Sequence, residues 1–287
     1  MKKLLAQISD QTGEIILAHH PLTGGDISNA FLLKTHNSRY FLKTNRSVDA
    51  LKMFRAEKAG LEAIAETDSI AVPVVLGLGI AEGTAYLLLE YIESKSASTD
   101  EMELLGKQLA NLHRSPIELP GFGFQSDNFI GSLPQSNTFH NDWPSFYAQE
   151  RLGKQIDMAI SKGLLSQKNT PAKESILHSC QQYLSGCQSS LLHGDLWGGN
   201  YLISTQGKPY LIDPAVYYGH GEVDIAMSKL FGGFSDAFYH AYRQAIPFDE
   251  RTDIRVELYQ LYYLLVHLNM FGSSYYPAVA RIFKKYF

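Results

Sequence analysis

Two aspartates and an asparagine around a predicted hairpin form the most informative pattern in the sequence. Asp195 is followed five positions later by Asn200, and Asp213 ends the hairpin, so the three side chains are expected at one mouth of a two-stranded ribbon. Asp195 could accept a proton from a substrate hydroxyl, and the oxygens of Asn200 and Asp213 are ligands that Mg²⁺ prefers. Phosphoryl transfer from Mg-ATP requires such a set. The sequence therefore predicts a kinase that acts on a small molecule.

Three neighbouring residues are expected to support this set. His193 is predicted to tie the loop to nearby backbone rather than to catalyse, because phosphoryl transfer needs little acid catalysis on the donor side. Trp197 could pack in the core or form a wall of the acceptor pocket. Asp224 begins a predicted helix, and its carboxylate is expected to accept backbone N–H groups of the catalytic loop. The competing interpretation is a Gly- and Asp-rich turn that satisfies only its own backbone.

A lysine and a glutamate in the N-terminal part are predicted to act on the nucleotide. Lys43 lies on a predicted strand and shares a face with Phe41, since side chains alternate along a strand. We expect Lys43 to hold the α- and β-phosphates and Phe41 to form the floor of the adenine pocket. Glu57 falls on the buried face of the helix predicted over 48–66, and a buried glutamate needs a partner. A Lys43–Glu57 ion pair would satisfy both; an exposed lysine, or Glu62 as its partner, are the alternatives.

Two further segments could contact the nucleotide. Gly24, Gly25 and Ser28 lie between the first two predicted strands, where paired glycines let backbone N–H groups approach phosphates closely. Such a turn alone is more often a simple hairpin. Backbone groups at about Glu90 and Ile92, where a strand enters a hinge, could form hydrogen bonds with adenine.

Composition favours two lobes and excludes several classes of function. The chain has 287 residues, of which 45% are apolar and 19% charged, which suits a two-lobed globular protein. Alternating strands around one helix predict an N-terminal lobe over 1–92, and helical periodicity predicts a larger helical lobe over 93–287, so the fold class is α+β. The net charge of −4 without a basic stripe argues against nucleic acid as a partner.

Cellular location is predicted from what the sequence lacks. The apolar stretch after Lys2 and Lys3 is interrupted by polar residues, so it is not a signal peptide, and no run is long enough to span a bilayer. We therefore expect no membrane association and a cytoplasmic protein. Cys180 and Cys187 have the spacing of neither a zinc site nor a redox motif, which favours two reduced thiols.

Motifs along nearly the whole chain resemble those of the fructosamine kinase (ketosamine-3-kinase) family, an aminoglycoside-phosphotransferase-like branch of the protein-kinase fold. They are Gly24-Gly25-Asp26-Ile27-Ser28, Phe54-Arg55-Ala56-Glu57, Asp127-Asn128-Phe129-Ile130-Gly131, His193-Gly194-Asp195-Leu196-Trp197, Ile212-Asp213-Pro214-Ala215 and Leu230-Phe231-Gly232-Gly233-Phe234. Trp197 after His-Gly-Asp-Leu, with Asp-Asn-Phe-Ile-Gly, separates this family from choline and aminoglycoside kinases. Gly198 stands where serine is common and Gly221 where arginine is frequent, which leaves the fine acceptor preference open.

The resemblance implies an activity and residue roles. It implies a bilobal protein-kinase-like fold and ATP-dependent phosphorylation of the sugar 3-hydroxyl of ketosamines, such as fructosamines and ribulosamines, free or on lysine. The phosphorylated adduct becomes unstable and falls off, which links the family to protein deglycation. Asp195 would be the base, Asn200 and Asp213 the Mg²⁺ ligands, and Lys43 the phosphate-binding lysine.

The acceptor site is predicted less sharply than the catalytic hairpin. Polar and aromatic side chains can bind sugar hydroxyls and stack on a sugar face, and the candidates are Trp197, Asp127, Asn128, Trp143 and His267. Each could instead cap a turn, and His267 with Asn269 could be a satisfied buried pair. The alternatives are another small-molecule kinase, for an aminoglycoside, choline or a thiosugar, and a nucleotide-binding module without transfer. The oligomeric state stays open.

Overall fold

The computed structural model describes residues 1–22, 28–116 and 121–287. These residues form a sheet-rich N-terminal lobe and a mostly helical C-terminal lobe, the α+β arrangement predicted from the sequence. The strands are β1 (Ala18–Leu22), β2 (Asn29–Lys34), β3 (Arg39–Asn45), β4 (Val75–Ala81), β5 (Thr84–Glu90), β6 (Ser94–Lys95), β7 (Asn128–Ile130), β8 (Leu133–Gln135), β9 (Ser190–Leu192), β10 (Tyr201–Ser204), β11 (Pro209–Leu211) and β12 (Tyr217–Gly219). The lobe boundary placed after residue 92 stays a prediction.

The helices alternate with these strands and dominate the second lobe. They are α1 (Lys2–Thr12), α2 (Ala50–Glu66), α3 (Thr99–His113), α4 (Trp143–Phe146), α5 (Lys154–Ser161), α6 (Lys173–Leu184), α7 (Glu222–Phe231), α8 (Asp236–Ala245), α9 (Thr252–Phe271) and α10 (Tyr276–Tyr286). A π-helix, Tyr147–Gly153, joins α4 to α5, and two short 3₁₀ helices are Gln167–Asn169 and Ser273–Tyr275.

A five-stranded sheet in the order β1-β2-β3-β5-β4, with all neighbours antiparallel, forms the N-terminal lobe. Helix α1 covers one face, where Leu4 and Ile8 share a buried cluster with Leu42 of β3. Helix α2 covers the other face with Phe54 and Leu61. Helix α1 is not among the predicted elements, because polar residues interrupt its short apolar pattern. The two helices fix β3, the strand that contains Lys43, from both sides.

A capping box begins α3, the first long helix of the second lobe. The Ser98 hydroxyl accepts the Glu101 backbone N–H at 3.3 Å, and the Glu101 carboxylate accepts the Ser98 N–H at 2.7 Å. Both reciprocal bonds of the capping box are present. Each bond satisfies a donor that the first helical turn would otherwise leave unpaired.

Gly106 lets α3 pack directly against α8. A Cβ at this position would overlap the backbone carbonyl oxygen of Phe238. We expect Gly106→Ala to lower the free energy of unfolding by about 3 kcal/mol, because the clash outweighs the better helix propensity of alanine. Urea unfolding would measure the change, with Lys107→Ala on the exposed side of α3 as the control. A variant as stable as the wild type would show that the two helices can separate at no cost.

The catalytic hairpin β10–β11 is bonded on one side to the segment that connects the lobes and on the other side to the N-terminal lobe. Strand β6, in the predicted hinge, pairs with β10 through Ile203 and Ser204. On the other side, the Leu211 N–H donates to the carbonyl oxygen of Ala71 at 2.9 Å. The hairpin therefore belongs to the junction of the two lobes, not to the helical lobe alone.

The segment 121–141, between α3 and α4, contains a short hairpin. Strands β7 and β8 pair Asn128 with Gln135 and Ile130 with Leu133. Three-residue strands leave too little alternation for a sequence-based prediction. Within the described residues, no helix combines the length and hydropathy needed to cross a bilayer.

Both cysteines are free thiols. Burial raises the pKa of Cys180 to about 12 and that of Cys187 to about 11. Both are therefore protonated at neutral pH and poor nucleophiles, which agrees with the prediction of two reduced thiols.

Candidate active site

The loop after β9 brings Asp195 and Asn200 into contact. The Asn200 side-chain amide donates to the backbone oxygen of Asp195 at 2.8 Å and to its carboxylate at 3.2 Å. Gly194 precedes them with φ of 84°, and a Cβ there would overlap the carbonyl oxygen of Ala215. Glycine is required because the loop approaches the neighbouring backbone closely in a left-handed conformation.

Asp224 holds this loop through its backbone, as predicted. Its carboxylate is fully buried and accepts the N–H groups of His193 at 2.8 Å and Gly194 at 2.9 Å. The His193 ring lies 2.8 Å from the carbonyl oxygen of Ile212, so it connects the loop to the returning strand. The structural roles predicted for His193 and Asp224 are both confirmed.

His113 completes this arrangement, and nothing in the sequence near it indicated the role. Its Nε2 lies 3.1 Å from the Asp224 carboxylate and its Nδ1 lies 2.8 Å from the Tyr242 hydroxyl. A Cβ at Gly221 would lie 2.8 Å from that Nδ1. His113 and Tyr242 therefore fill the space in which a longer side chain at position 221 would begin.

Lys43 joins the two lobes through two carboxylates. Its ammonium group lies 2.8 Å from Glu57, the predicted partner, and also contacts Asp213. The Ile212 N–H donates to the Asn200 carbonyl oxygen at 3.0 Å, so the residue before Asp213 is bonded directly to Asn200. The structure thus brings together Asp195, Asn200 and Asp213 with the Lys43–Glu57 pair.

The charges of these groups shift one another. Burial and the carboxylate of Asp213 raise the pKa of Asp195 to about 7, while the bond from Asn200 opposes the shift. Burial likewise raises the pKa of Glu57 to about 7 against the opposing effect of Lys43. Burial disfavours the charged form of Lys43, but Asp213 and Glu57 outweigh it and raise the pKa of Lys43. Lys43 stays positively charged between two carboxylates.

The donor set fits a Mg²⁺ ion. Asn200 uses its side-chain amide nitrogen for the bonds to Asp195, so its side-chain oxygen is the atom suited to a cation. The Asp213 side chain is 41% exposed and already contacts one cationic group, the Lys43 ammonium. One carboxylate and one amide oxygen with open access match the few protein ligands that Mg²⁺ takes when phosphates and waters complete its shell.

The predicted nucleotide contacts lie in different surroundings. Phe41 is half-buried on β3, on the face that it shares with Lys43, and the Ser28 hydroxyl accepts from Asn45 at 3.2 Å. The Glu90 N–H donates to the Val74 carbonyl oxygen at 2.9 Å, so this N–H is not available to adenine. Half-buried Ile92 follows β5.

Gly24 and Gly25 lie outside the described residues. All the nucleotide contacts expected from the sequence stay predictions.

Three aromatic side chains lie on segments that contact the catalytic loop and are called the aromatic wall here: Trp197, Phe231 and His267. Trp197 is 43% exposed and Phe231 is 38% exposed. The His267 ring packs 4.4 Å from that of Phe231, and its Nδ1 lies 2.8 Å from the Tyr263 carbonyl oxygen. Gly198, next to Trp197, lies against Gly233, two residues after Phe231, since a Cβ at Gly198 would lie 2.9 Å from the Cα of Gly233. Glycine fits at position 198 because the contact between these two loops leaves no room for a side chain.

Three of the predicted acceptor residues have other contacts. Trp143 is only 1% exposed and donates to the Tyr259 hydroxyl at 2.9 Å, so it is a core residue and not part of an acceptor pocket. Asn128 is 5% exposed and donates to the Val216 carbonyl oxygen at 2.7 Å. Asp127 is exposed and accepts the Asn137 N–H at 2.8 Å. These residue types are common in sugar sites, but here their polar atoms form hydrogen bonds within the protein.

The proposed pair of His267 and Asn269 also differs from the prediction. The Asn269 amide donates to the backbone and side-chain oxygens of Gln155, both at 2.9 Å, rather than to His267. His267 is half-buried among aromatic rings. The two residues lie on α9 but belong to different surroundings, which leaves His267 with the aromatic wall.

Comparison with known proteins agrees with this geometry. The family model described as fructosamine kinase matches residues 1–287. A "probable ketoamine kinase" of Synechocystis is 38% identical over 283 residues, covering 97% of this chain and 94% of that protein. The chloroplastic protein-ribulosamine 3-kinase of Arabidopsis thaliana is 38% identical over 274 residues, covering 92% and 80%.

Solved structures agree in fold. A "putative fructosamine-3-kinase" from Haemophilus somnus superposes with a TM-score of 0.88 at 29% identity, covering 99% of this chain and 96% of that one. Aminoglycoside phosphotransferase APH(4)-Ia, in a ternary complex with AMP-PNP and hygromycin B, gives a TM-score of 0.67 at 14% identity, covering 99% and 98%, which supports the kinase-like fold alone. With the whole-length family match, the chain belongs to the fructosamine kinase family.

Proposed function

We propose that this protein transfers the γ-phosphoryl group of Mg-ATP to the sugar 3-hydroxyl of a ketosamine, such as a fructosamine or ribulosamine adduct of an amine. The contact of Asp195 with Asn200, beside Asp213 and the Lys43–Glu57 pair, is the observation that carries the proposal. The names of the relatives, probable ketoamine kinase and protein-ribulosamine 3-kinase, favour a ketosamine over an aminoglycoside, choline or a thiosugar.

In the proposed reaction, Asp195 orients the acceptor hydroxyl and takes its proton. The hydroxyl oxygen forms a bond to the γ-phosphorus as the bond to the β–γ bridging oxygen breaks, and ADP leaves. Lys43 exchanges its contact with Asp213 for the nucleotide phosphates, while Glu57 keeps it in place. Bound Mg²⁺, held by Asn200 and Asp213, would neutralise charge on the phosphates. The main contributions of the protein are positioning and fixed charges.

The aromatic wall suits the sugar of the acceptor. Trp197 is 43% exposed and follows Asp195 by two positions, so we expect its ring near the place of the reacting hydroxyl. Aromatic faces stack on the apolar face of a sugar while polar groups bind its hydroxyls. A product with a 3-phosphate would be unstable, which links the reaction to removal of sugar adducts from amines. We place this reaction in the cytoplasm.

Replacement of Trp197 tests the acceptor side. We expect Trp197→Ala to raise KM for ribulosyl-lysine about three- to tenfold, because one stacking contact contributes roughly 0.5–1.5 kcal/mol. KM for ATP should change less than twofold. Phe139→Ala, which removes a side chain of similar exposure (41%) from the 121–140 segment, is the control. Equal KM values for Trp197→Ala and wild type would remove Trp197 from the acceptor site.

Phosphate transfer to defined acceptors tests the proposal as a whole. The purified protein would be incubated with Mg-ATP and ribulosyl-lysine, fructosyl-lysine, hygromycin B or choline, and ADP formation measured. We expect turnover with the two ketosamines and none with the other compounds, and a product whose NMR spectrum locates phosphate on the 3-oxygen. Turnover only with hygromycin B or choline would overturn the ketosamine assignment. Nucleotide binding without any turnover would favour a regulatory module.

A further inference from the structure

The backbone at Asp213 needs support from its surroundings. Asp213 has φ of 55°, a left-handed conformation that residues other than glycine rarely adopt. Such a conformation costs about 1–3 kcal/mol and persists only when neighbouring groups hold it. Before Asp213, the carbonyl oxygen of Ile212 contacts the His193 ring at 2.8 Å. After Asp213, the Ala215 N–H donates to the His193 carbonyl oxygen at 2.8 Å.

Two buried amides of the β7–β8 hairpin bind the other side of this backbone. Asn128 donates to the Val216 carbonyl oxygen at 2.7 Å, and Gln135 donates to the Ala215 carbonyl oxygen at 3.2 Å. The Gln135 amide nitrogen also donates to the Asn128 side-chain oxygen at 2.7 Å, and the Tyr262 hydroxyl donates to the Gln135 side-chain oxygen at 2.5 Å. The two amides are 5% and 2% exposed. They form one connected set in which each amide oxygen accepts a bond.

The same backbone is packed between the hairpin and helix α2. Position 60 of α2 is glycine, and a Cβ there would lie 3.0 Å from the Pro214 ring and 3.4 Å from the Val216 methyl groups. Helix α2 also contacts strand β7 directly. The segment after Asp213 therefore lies between the helix that contains Glu57 and the hairpin that contains the two amides.

Arg151 fixes the far end of the hairpin. This fully buried side chain, on the π-helix, donates to the Ser136 carbonyl oxygen at 2.6 Å and to the Asn137 side-chain oxygen at 2.7 Å. Its guanidinium lies 3.8 Å from the centre of the Tyr217 ring, at the residue after Val216. π-Helices occur frequently near functional sites. The hairpin is thus anchored to the helical lobe where it reaches the residues after Asp213.

We infer that Asn128 and Gln135 are positioning residues that hold Asp213 in the orientation needed to share a metal ion with Asn200. The inference rests on the proposed function, since it takes Asp213 and Asn200 as metal ligands. The two amides act on the metal through the backbone of Asp213 to Val216 and do not touch the metal or substrate themselves. Partners that orient a ligand in this way typically contribute about 10- to 100-fold to metal affinity.

Binding of Mn²⁺ in the presence of AMP-PNP tests the inference without turnover. Free Mn²⁺ would be measured by electron paramagnetic resonance for wild type, Asn128→Leu and Tyr262→Phe. We expect Asn128→Leu to weaken Mn²⁺ binding about tenfold and to lower kcat, with binding of metal-free AMP-PNP within about twofold of wild type. Tyr262→Phe removes only the hydroxyl that orients Gln135, so it should give a smaller loss in the same direction. If Asn128→Leu does not fold, Tyr262→Phe decides the outcome.

Gln155→Leu is the matched control. Gln155 is as buried as Gln135, each with 2% exposure, and it pairs with the buried amide of Asn269 in the helical lobe. It should lower thermal stability while leaving Mn²⁺ binding unchanged. Wild-type Mn²⁺ affinity in both test variants, or an equal loss in Gln155→Leu, would overturn the positioning role while leaving the proposed function intact. Absence of Mn²⁺-dependent AMP-PNP binding in the wild type would overturn both.

Discussion

Asp195→Asn is expected to lower kcat about a thousandfold, which is the usual range for loss of a general base. An asparagine cannot take the proton of the acceptor hydroxyl, but it keeps the size of the side chain and can still accept the bond that Asn200 donates. The loop geometry, which depends on Asp224 and Gly194, should persist. Turnover with ribulosyl-lysine and binding of AMP-PNP would be measured on the same preparation, and the affinity for AMP-PNP should stay within about threefold.

An exposed aspartate provides the control for this substitution. Asp253→Asn, in the first turn of α9, changes the same functional group at an exposed position outside the hairpin and should retain full turnover. If Asp195→Asn turned over at the wild-type rate, the proton would have to leave by another route. Asp195 would then lose its role as the base.

Lys43→Ala is expected to lower kcat/KM for ATP at least about a hundredfold, comparable to losing one fixed charge that stabilises a transition state. The substitution removes the cation that contacts both Glu57 and Asp213, so the two carboxylates are left to repel each other and the phosphates. KM for ATP should rise, while KM for the ketosamine stays within about twofold. Initial rates over a matrix of both substrates would separate the two constants.

Two variants on α2 show whether the effect belongs to Lys43 itself. Glu57→Gln keeps the lysine and its contact with Asp213, so its loss should be smaller than that of Lys43→Ala. Lys52→Ala removes an exposed lysine and should have no effect. An unchanged dependence on ATP in Lys43→Ala would contradict the assignment of this residue to the phosphates.

The catalytic hairpin could be predicted because its chemistry is local in the sequence. Asp195 and Asn200 share one loop, and the return of β11 brings Asp213 back beside Asn200. The Lys43–Glu57 pair was predictable for a different reason. Strand alternation and helical periodicity placed both side chains in the interior, where each charge needs a partner.

The contacts that were not predicted join residues that are distant in sequence. His113 and Asp224 are separated by 111 positions, and Lys43 and Asp213 by 170. No periodicity links such positions, because only tertiary packing decides which helix lies against which loop. The acceptor prediction was wrong for Trp143 and Asn128 for a related reason. The sequence shows the same amide or indole N–H whether that group faces a sugar or a buried hydroxyl or carbonyl.

The pairing of β6 with β10 has a consequence for motion. Kinase lobes commonly rotate about their connection as substrates enter and products leave. Here that connection is hydrogen-bonded to the strand that follows Asn200, and Leu211 is bonded to Ala71 on the opposite side. A wide opening of the two lobes would either break these hydrogen bonds or move the catalytic groups together with the connection. The amide hydrogens of Ser204 and Leu211 should therefore exchange with deuterium no faster than those of the adjacent core, which would place the axis of any lobe rotation outside the hairpin.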